Sequence, residues 1–186
     1  GSVTTAKLGD NAVTTAKITD ANVTSAKMFS GFKNGITEAD QWRVSATQNY
    51  TGTSTFLTAN WERNDTSYDK IGTGMTETSG VFSFPSTGIY NISYVILIYN
   101  VSNNNYAGVI AHATNNNSTY YDIASSYGGG GTSGRYTTVY NNFIFDVTNT
   151  SNDKIKLKAH MQYTAQILGA GNEVSTGITF IRLGDT

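Results

Sequence analysis

From residue 42 onward, hydrophobic and polar residues alternate along the chain with a period of two. The clearest case is 153–163, where aliphatic residues alternate with Lys and His. This pattern predicts a strand with one buried and one solvated face, and it places His160 on the exposed face as an ordinary surface histidine. The same period predicts strands in eight further segments: 43–49, 55–61, 81–84, 89–99, 106–114, 119–125, 136–148 and 176–183.

Clusters of Asn, Gly and Ser separate these segments, and no long amphipathic helix is present. Short strands joined by turn-forming residues are typical of a β-sandwich or jelly roll. The sequence therefore predicts an all-β domain over 42–186. The glycine run 128–131 lacks the Lys-Ser/Thr of a phosphate-binding loop, so we expect a mobile strand connection there.

The first 28 residues contain three copies of a ten-residue repeat. Its consensus is Val-Thr-Thr/Ser-Ala-Lys followed by a large aliphatic residue. One copy has too few apolar side chains to form a core, so repeats of this kind must associate. Parallel chains wound together would bury the apolar row and form a fibre stalk over residues 1–28; a flexible linker is the alternative. The row consists of Val3, Leu8, Val13, Ile18, Val23 and Met28.

Two flanking features complete this organisation. Residues 1–2, Gly-Ser, resemble a cloning scar. Residues 29–41 form a joint between stalk and head, with a helix N-cap and one helical turn expected at 37–40.

The segment 89–99 is apolar on both faces. It lies within 44 consecutive residues, 78–121, that contain no Asp, Glu, Lys or Arg. Because a two-layer sandwich buries one face of each sheet, the second face needs a cover. We expect a neighbouring copy of the chain there, with loops as the alternative. The predicted core and subunit seam comprises Tyr94, Ile96 and Ile98 on one side and Val95, Leu97 and Tyr99 on the other.

Composition and charge exclude several classes. The 186 residues are 38% hydrophobic with a net charge of −1, which excludes disorder and disfavours a nucleic-acid partner. The longest apolar run, 94–99, is far too short to span a membrane. The absence of Cys excludes disulfides and thiolate metal sites. Thr, Asn and Ser supply 64 residues, which favours interaction through hydroxyls and amides.

No catalytic motif stands out, so we predict a protein that is not an enzyme. His112 lies in an apolar strand and is expected to be a hydrogen-bonded core or interface histidine. Asp65 with Asp69, or Asp122 with Asp146, remain possible carboxylate pairs for glycoside cleavage, although no spacing singles them out.

The remaining chemistry is recognition by tyrosine around the glycine run. Tyrosine offers a large, rigid ring with a hydrogen-bonding hydroxyl, which suits sugars. The alternative is that these rings fill the sandwich or the subunit seam. The receptor-binding candidates are Tyr120, Tyr121, Tyr127, Arg135 and Tyr136, with Tyr140 next to them.

Four segments carry a resemblance to a known family. Residues 80–90, GVFSFPSTGIY, resemble the G-x-F-x-x-P-x-x-G-x-Y strand pair of the C1q/TNF-like jelly roll. Residues 64–69, 152–157 and 179–183 are similar to other strands and turns of that family, in the same order. The resemblance covers 42–185 and implies three jelly rolls around a three-fold axis. Since some C1q-like trimers bind calcium, it makes Asp65 and Asp69 candidate ligands, with turn capping as the alternative; we predict no other cofactor.

The repeat and residues 36–42, ITEADQW, resemble fibre and appendage proteins of tailed bacteriophages, especially marine ones. This resemblance implies an extracellular virion protein, a trimeric distal head that attaches to a host-cell glycan or protein. Its other partners would be its own copies and virion proteins that bind the stalk, with no nucleic acid or membrane. The alternatives are a purely structural trimerisation cap or head-decoration knob, a bacterial adhesin or spore-coat filament, and a polysaccharide-cleaving head.

Overall fold

A computed structural model describes residues 35–66 and 68–186, together with separate positions between 8 and 28. The chain divides into two compact units, 1–35 and 36–186. In the first unit, the amide N–H groups of Asn22 and Lys27 donate to the carbonyls of Thr19 and Thr24, at N···O distances of 3.0 and 2.8 Å.

In its described residues the second unit contains thirteen strands, all paired antiparallel in two sheets. The all-β prediction is confirmed. The strands are β1 (Ala39–Val44), β2 (Gln48–Tyr50), β3 (Thr55–Phe56), β4 (Trp61–Arg63), β5 (Thr76–Thr78), β6 (Val81–Ser83), β7 (Gly88–Asn100), β8 (Tyr106–Thr114), β9 (Tyr121–Gly129), β10 (Arg135–Val147), β11 (Lys154–Met161), β12 (Ala165–Ile167) and β13 (Gly177–Gly184).

The first sheet is built around β7. Its order is β2-β12-β7-β13-β1-β4, and β10 pairs along the other side of β7 over its whole length. The second sheet has the order β5-β6-β11-β8-β9, with the short β3 also paired to β11. Consecutive strands β9 and β10 therefore belong to different sheets.

The core lies between the two sheets. Alternate residues of β7, among them Ile92 and Ile96, are fully buried with Val109 of β8 and Leu157 of β11. Removing side chains of this size from water stabilises the fold by roughly 1.5–3 kcal/mol each. At one end the ring of Phe82 packs against three other aromatic rings, with centroids 5.1–5.8 Å apart: Trp42, Trp61 and Phe180.

The tight turn between β5 and β6 explains the glycine that opens the 80–90 segment. Ser79 and Gly80 both have positive φ, 51° and 81°, as a two-residue hairpin turn requires. A Cβ at position 80 would also lie 2.1 Å from the carbonyl oxygen of Leu57. Glycine at this position is therefore required by both the turn and the packing beneath it.

Some details differ from expectation. The helical turn predicted at 37–40 is wrong: β1 begins at Ala39, because Ala39 and its neighbours pair with β13. Two of the glycines at 128–131 extend β9 and are paired with β8 rather than forming a loop. The predicted segments 43–49 and 55–61 are each divided between two strands, and β5 and β12 were not predicted. No helix in the described part of the chain is long and apolar enough to cross a membrane.

Candidate recognition surfaces

The outward side of the first sheet forms one continuous surface, which we call the first-sheet face: the outward side chains of β7, β10 and β13. On β7, the predicted seam residues divide between its two sides. Tyr94, Ile96 and Ile98 are at most 1% exposed in the core, and the alternate residues are only partly covered on the outside. The outward seam residues are Val95, Leu97 and Tyr99.

Strand β10 extends this surface with large exposed side chains. Tyr136, Tyr140 and Ile144 are 65, 60 and 58% exposed. The register pairs them with Tyr99, Val95 and Asn91 of β7, so they share its outward side. Along β7 and β10, both fully described, the only charged residue on this face is Asp146. Along these two strands the first-sheet face is therefore rich in tyrosine and aliphatic residues, with neutral polar residues between them, and nearly without charge.

The receptor-binding candidates do not lie on one face. Tyr136 belongs to the first-sheet face, where its ring centroid is 5.1 Å from that of Tyr99. Tyr127, on β9, instead packs beside His160 of β11 on the outward side of the second sheet, with ring centroids 5.1 Å apart. Tyr121 also lies on β9 and is exposed. Arg135 is exposed at the start of β10.

Tyr120 has a different role on the second sheet. The ammonium of Lys156 lies 3.6 Å from the ring centroid of Tyr120 and 3.8 Å from that of Phe56. Cation–π contact of this kind stabilises a partly desolvated ammonium. Burial lowers the pKa of Lys156. The lysine-bearing side of β11 is thus covered by aromatic rings rather than freely solvated.

His112 is 7% exposed and therefore buried, but neither of its ring nitrogens has a hydrogen-bond partner, so the hydrogen bond expected from the sequence is not formed. Its Nε2 lies 2.7 Å from Oδ1 of Asp122, although the ring is not aligned for a linear hydrogen bond. Lys158 Nζ is 3.6 Å from the same oxygen. Burial, followed by the charge of Lys158, lowers the pKa of His112, and these effects outweigh Asp122, which raises it. Folding therefore favours the neutral form of the imidazole.

The predicted carboxylate pairs have other partners. Oδ1 of Asp65 accepts from Nη2 of Arg43 at 3.2 Å, and Oδ1 of Asp69 accepts from the Lys70 backbone N–H at 2.7 Å. Asp122 is on the second sheet, whereas Asp146 lies on the first-sheet face, so these two do not converge. Within the part of the chain that the structure describes, no three His, Asp or Glu side chains gather as metal ligands.

Sequence reasoning missed a buried polar cluster at the start of the domain. The carboxylate of Asp40, on β1, accepts from Arg63 Nε at 3.0 Å, from the Trp42 indole N–H at 3.0 Å and from the Met75 backbone N–H at 2.7 Å. The side chain of Arg43 is 2% exposed and also donates to Glu62. These contacts join β1 to β4 and to the segment that follows β4, which makes the cluster structural.

Four residues of the predicted stalk row are exposed in the single chain. Leu8, Val13, Ile18 and Val23 are 42–56% exposed, and Met28 is partly covered. Val3 lies outside the described residues.

Comparison with solved structures identifies the architecture. Eiger TNF from S. frugiperda matches 82% of this chain and 96% of its own, with a TM-score of 0.66 and 11% identity. The chain has a TNF-like jelly-roll fold. Murine APRIL matches 78% of this chain and 98% of its own, with a TM-score of 0.59 and 14% identity. No protein-family model matches the sequence, and neither does any curated protein. At these identities the likeness extends to the fold, and it confirms the predicted jelly roll.

Proposed function

We propose that this chain is a non-enzymatic virion protein: the distal head, with a piece of stalk, of a homotrimeric fibre or appendage of a tailed bacteriophage. The head attaches the particle to the host-cell surface, through a glycan. The repeat and the segment 36–42 support the phage origin through their resemblance to fibre proteins, and the jelly roll suits a fibre head.

The observation that carries the proposal is the first-sheet face. Tyr136, Tyr140 and Ile144 present most of their surface on one side of a sheet, next to partly covered apolar residues of β7. Contiguous apolar patches of this kind on soluble proteins mark interaction sites. Because the patch is almost uncharged and no helix of the described chain covers it, a second copy of the same chain is the simplest cover, and closed symmetry buries it on every copy.

The repeat makes the same demand. Its exposed apolar row needs parallel neighbours. A trimer of heads would supply them by holding three stalks together where each stalk meets its head. Three heads on one fibre, and several fibres on one particle, convert weak single contacts with a glycan into stable adsorption. Other virion proteins would bind the stalk.

Two measurements on the purified chain test the proposal. Light scattering is expected to give about three times the chain mass of 20.0 kDa. The purified trimer is then expected to block adsorption of the parent phage to its host and to bind host surface polysaccharide. A stable monomer refutes the oligomeric head. A trimer that binds neither cells nor polysaccharide refutes attachment and supports the purely structural cap.

A further inference from the structure

A second surface, away from the first-sheet face, has the shape of a small ligand site. Tyr106 on β8, Tyr127 on β9 and His160 on β11 line an open cleft of about 290 Å³ on the outward side of the second sheet. Its walls are almost entirely carbon. His160 is therefore not the ordinary exposed histidine that the alternation predicted, because its ring packs beside those of Tyr106 and Tyr127.

Two glycines create the space between these rings. The register places Gly108 directly between His160 and Tyr127, and Gly129 directly beside Tyr106. A Cβ at Gly108 would lie 2.6 Å from Cδ1 of Tyr127, so only glycine lets that ring lie over the strand toward His160. Across these three strands each aromatic residue is paired with a glycine, and the glycine leaves space beside the ring.

The ring geometry suits a flat ligand with polar edges. The His160 ring is tilted 35° to that of Tyr106 and 64° to that of Tyr127, with centroids 5.4 and 5.1 Å away. The volume is at the lower end of ligand sites, about 300 Å³, which suits one sugar ring. Nδ1 of His160 is buried and has no hydrogen-bond partner. Because this nitrogen has no accessible surface, a ligand in the cleft cannot reach it, and the rings supply the binding contacts.

We propose that this cleft binds one uncharged pyranose ring of a surface glycan. The inference rests on the proposed function, since it names the glycan-binding site of the head. The C–H face of the sugar packs against the tyrosine rings, whose electron-rich faces attract polarised hydrogens. The cleft is open on its outer side, so the sugar hydroxyls stay hydrated at its mouth. A cationic ligand is disfavoured because Lys158, two residues away on the same side of β11, carries a positive charge.

The test uses the full chain and methyl glycosides of glucose, galactose, mannose and N-acetylglucosamine. Ligand binding is followed by saturation-transfer NMR and by the histidine ring resonances, which are simple to assign because the chain has two histidines. At least one glycoside is expected to shift the His160 resonances and leave those of His112 unchanged. Tyr127→Ala is expected to weaken its binding about tenfold or more, as for an aromatic anchor.

The matched control is Tyr121→Ala. Tyr121 lies on the same strand, with 45% exposure against 48% for Tyr127, but outside the cleft. The Tyr121→Ala variant should bind the glycoside as strongly as the unaltered chain does. His160→Phe keeps an aromatic wall, so it should retain glycoside binding and preserve the fold, checked by circular dichroism.

The outcomes separate this inference from the proposed function. If no glycoside shifts His160, or if Tyr127→Ala and Tyr121→Ala bind equally well, the cleft is not the sugar site, even when the head still blocks phage adsorption. If the cleft binds a glycoside and Tyr127→Ala abolishes that binding, the inference stands, even when the head fails to compete with the phage.

Discussion

Replacing Tyr140 by glutamate tests whether the first-sheet face joins the subunits. Tyr140 lies near the middle of β10, opposite Val95, and is 60% exposed in the single chain. If the trimer buries this face, the substitution removes an aromatic contact from each subunit and places a carboxylate in an apolar interface. The side chain points away from the core, so the jelly roll itself should still form.

The expected loss follows from the exposed area. A buried tyrosine removes roughly 150–250 Å² from water, so at 60% exposure about 90–150 Å² of Tyr140 remains for a partner to cover. At about 25 cal/mol per Å² this is worth roughly 2–4 kcal/mol per subunit. Over three subunits the association constant should fall by about five orders of magnitude or more.

The assay is sedimentation velocity or light scattering over a range of micromolar concentrations. The unaltered chain is expected to remain trimeric and the Tyr140→Glu variant to dissociate, with unchanged β-sheet circular dichroism. Tyr163→Glu is the control, because Tyr163 is 53% exposed but follows β11 and lies outside the first-sheet face. A Tyr140→Glu chain that stays trimeric at every concentration would refute the placement of the interface.

Three further predictions concern the folded head, each measured by urea unfolding at one fixed protein concentration. Asp40→Asn should lower the free energy of unfolding by about 3 kcal/mol, since it breaks a buried pair with Arg63; a loss under about 1 kcal/mol contradicts this. Tyr94→Phe should cost about 1 kcal/mol because its hydroxyl donates to a buried strand carbonyl; equal stability would show that water replaces the bond. Because the pKa of His112 is lowered in the folded state, the unfolded chain binds its proton first, so stability should fall as the pH drops below about 6.5; His112→Gln should flatten this fall, and an unchanged slope assigns it to other groups.

The period-two alternation was enough to predict the sandwich, and β8 begins and ends where the pattern placed it. The 80–90 segment was informative because four of its residues are each required by a specific feature of the fold. Gly80 forms the turn, Phe82 and Tyr90 are at most 1% exposed in the core, and a Cβ at Gly88 would lie 2.4 Å from the carbonyl oxygen of Gly184. Short strands such as β5 and β12 have too few residues for a period to appear.

Sequence proximity was a poor guide to the recognition surface. Tyr127 and Tyr136 are nine positions apart, yet they lie on opposite outer sides of the sandwich because β9 and β10 join different sheets. The cleft shows the converse, because residues that are distant in sequence lie side by side in it. Tyr106 and His160 are far apart in sequence and meet only through the register of β8 with β11, which no local pattern specifies.

The two outer faces have different physical characters, and this difference separates assembly from recognition. The first-sheet face is broad, rich in tyrosine and aliphatic residues and almost uncharged, which suits permanent burial against identical chains. The second-sheet surface holds its polar groups in local arrangements: Lys156 between two rings, Lys158 and His112 around Asp122, and a small aromatic cleft with one unsatisfied nitrogen. If the first-sheet face forms the trimer, the cleft remains open on each of the three subunits. A glycan that presents several sugar rings could then bind more than one cleft at once, and weak single sites would suffice for adsorption.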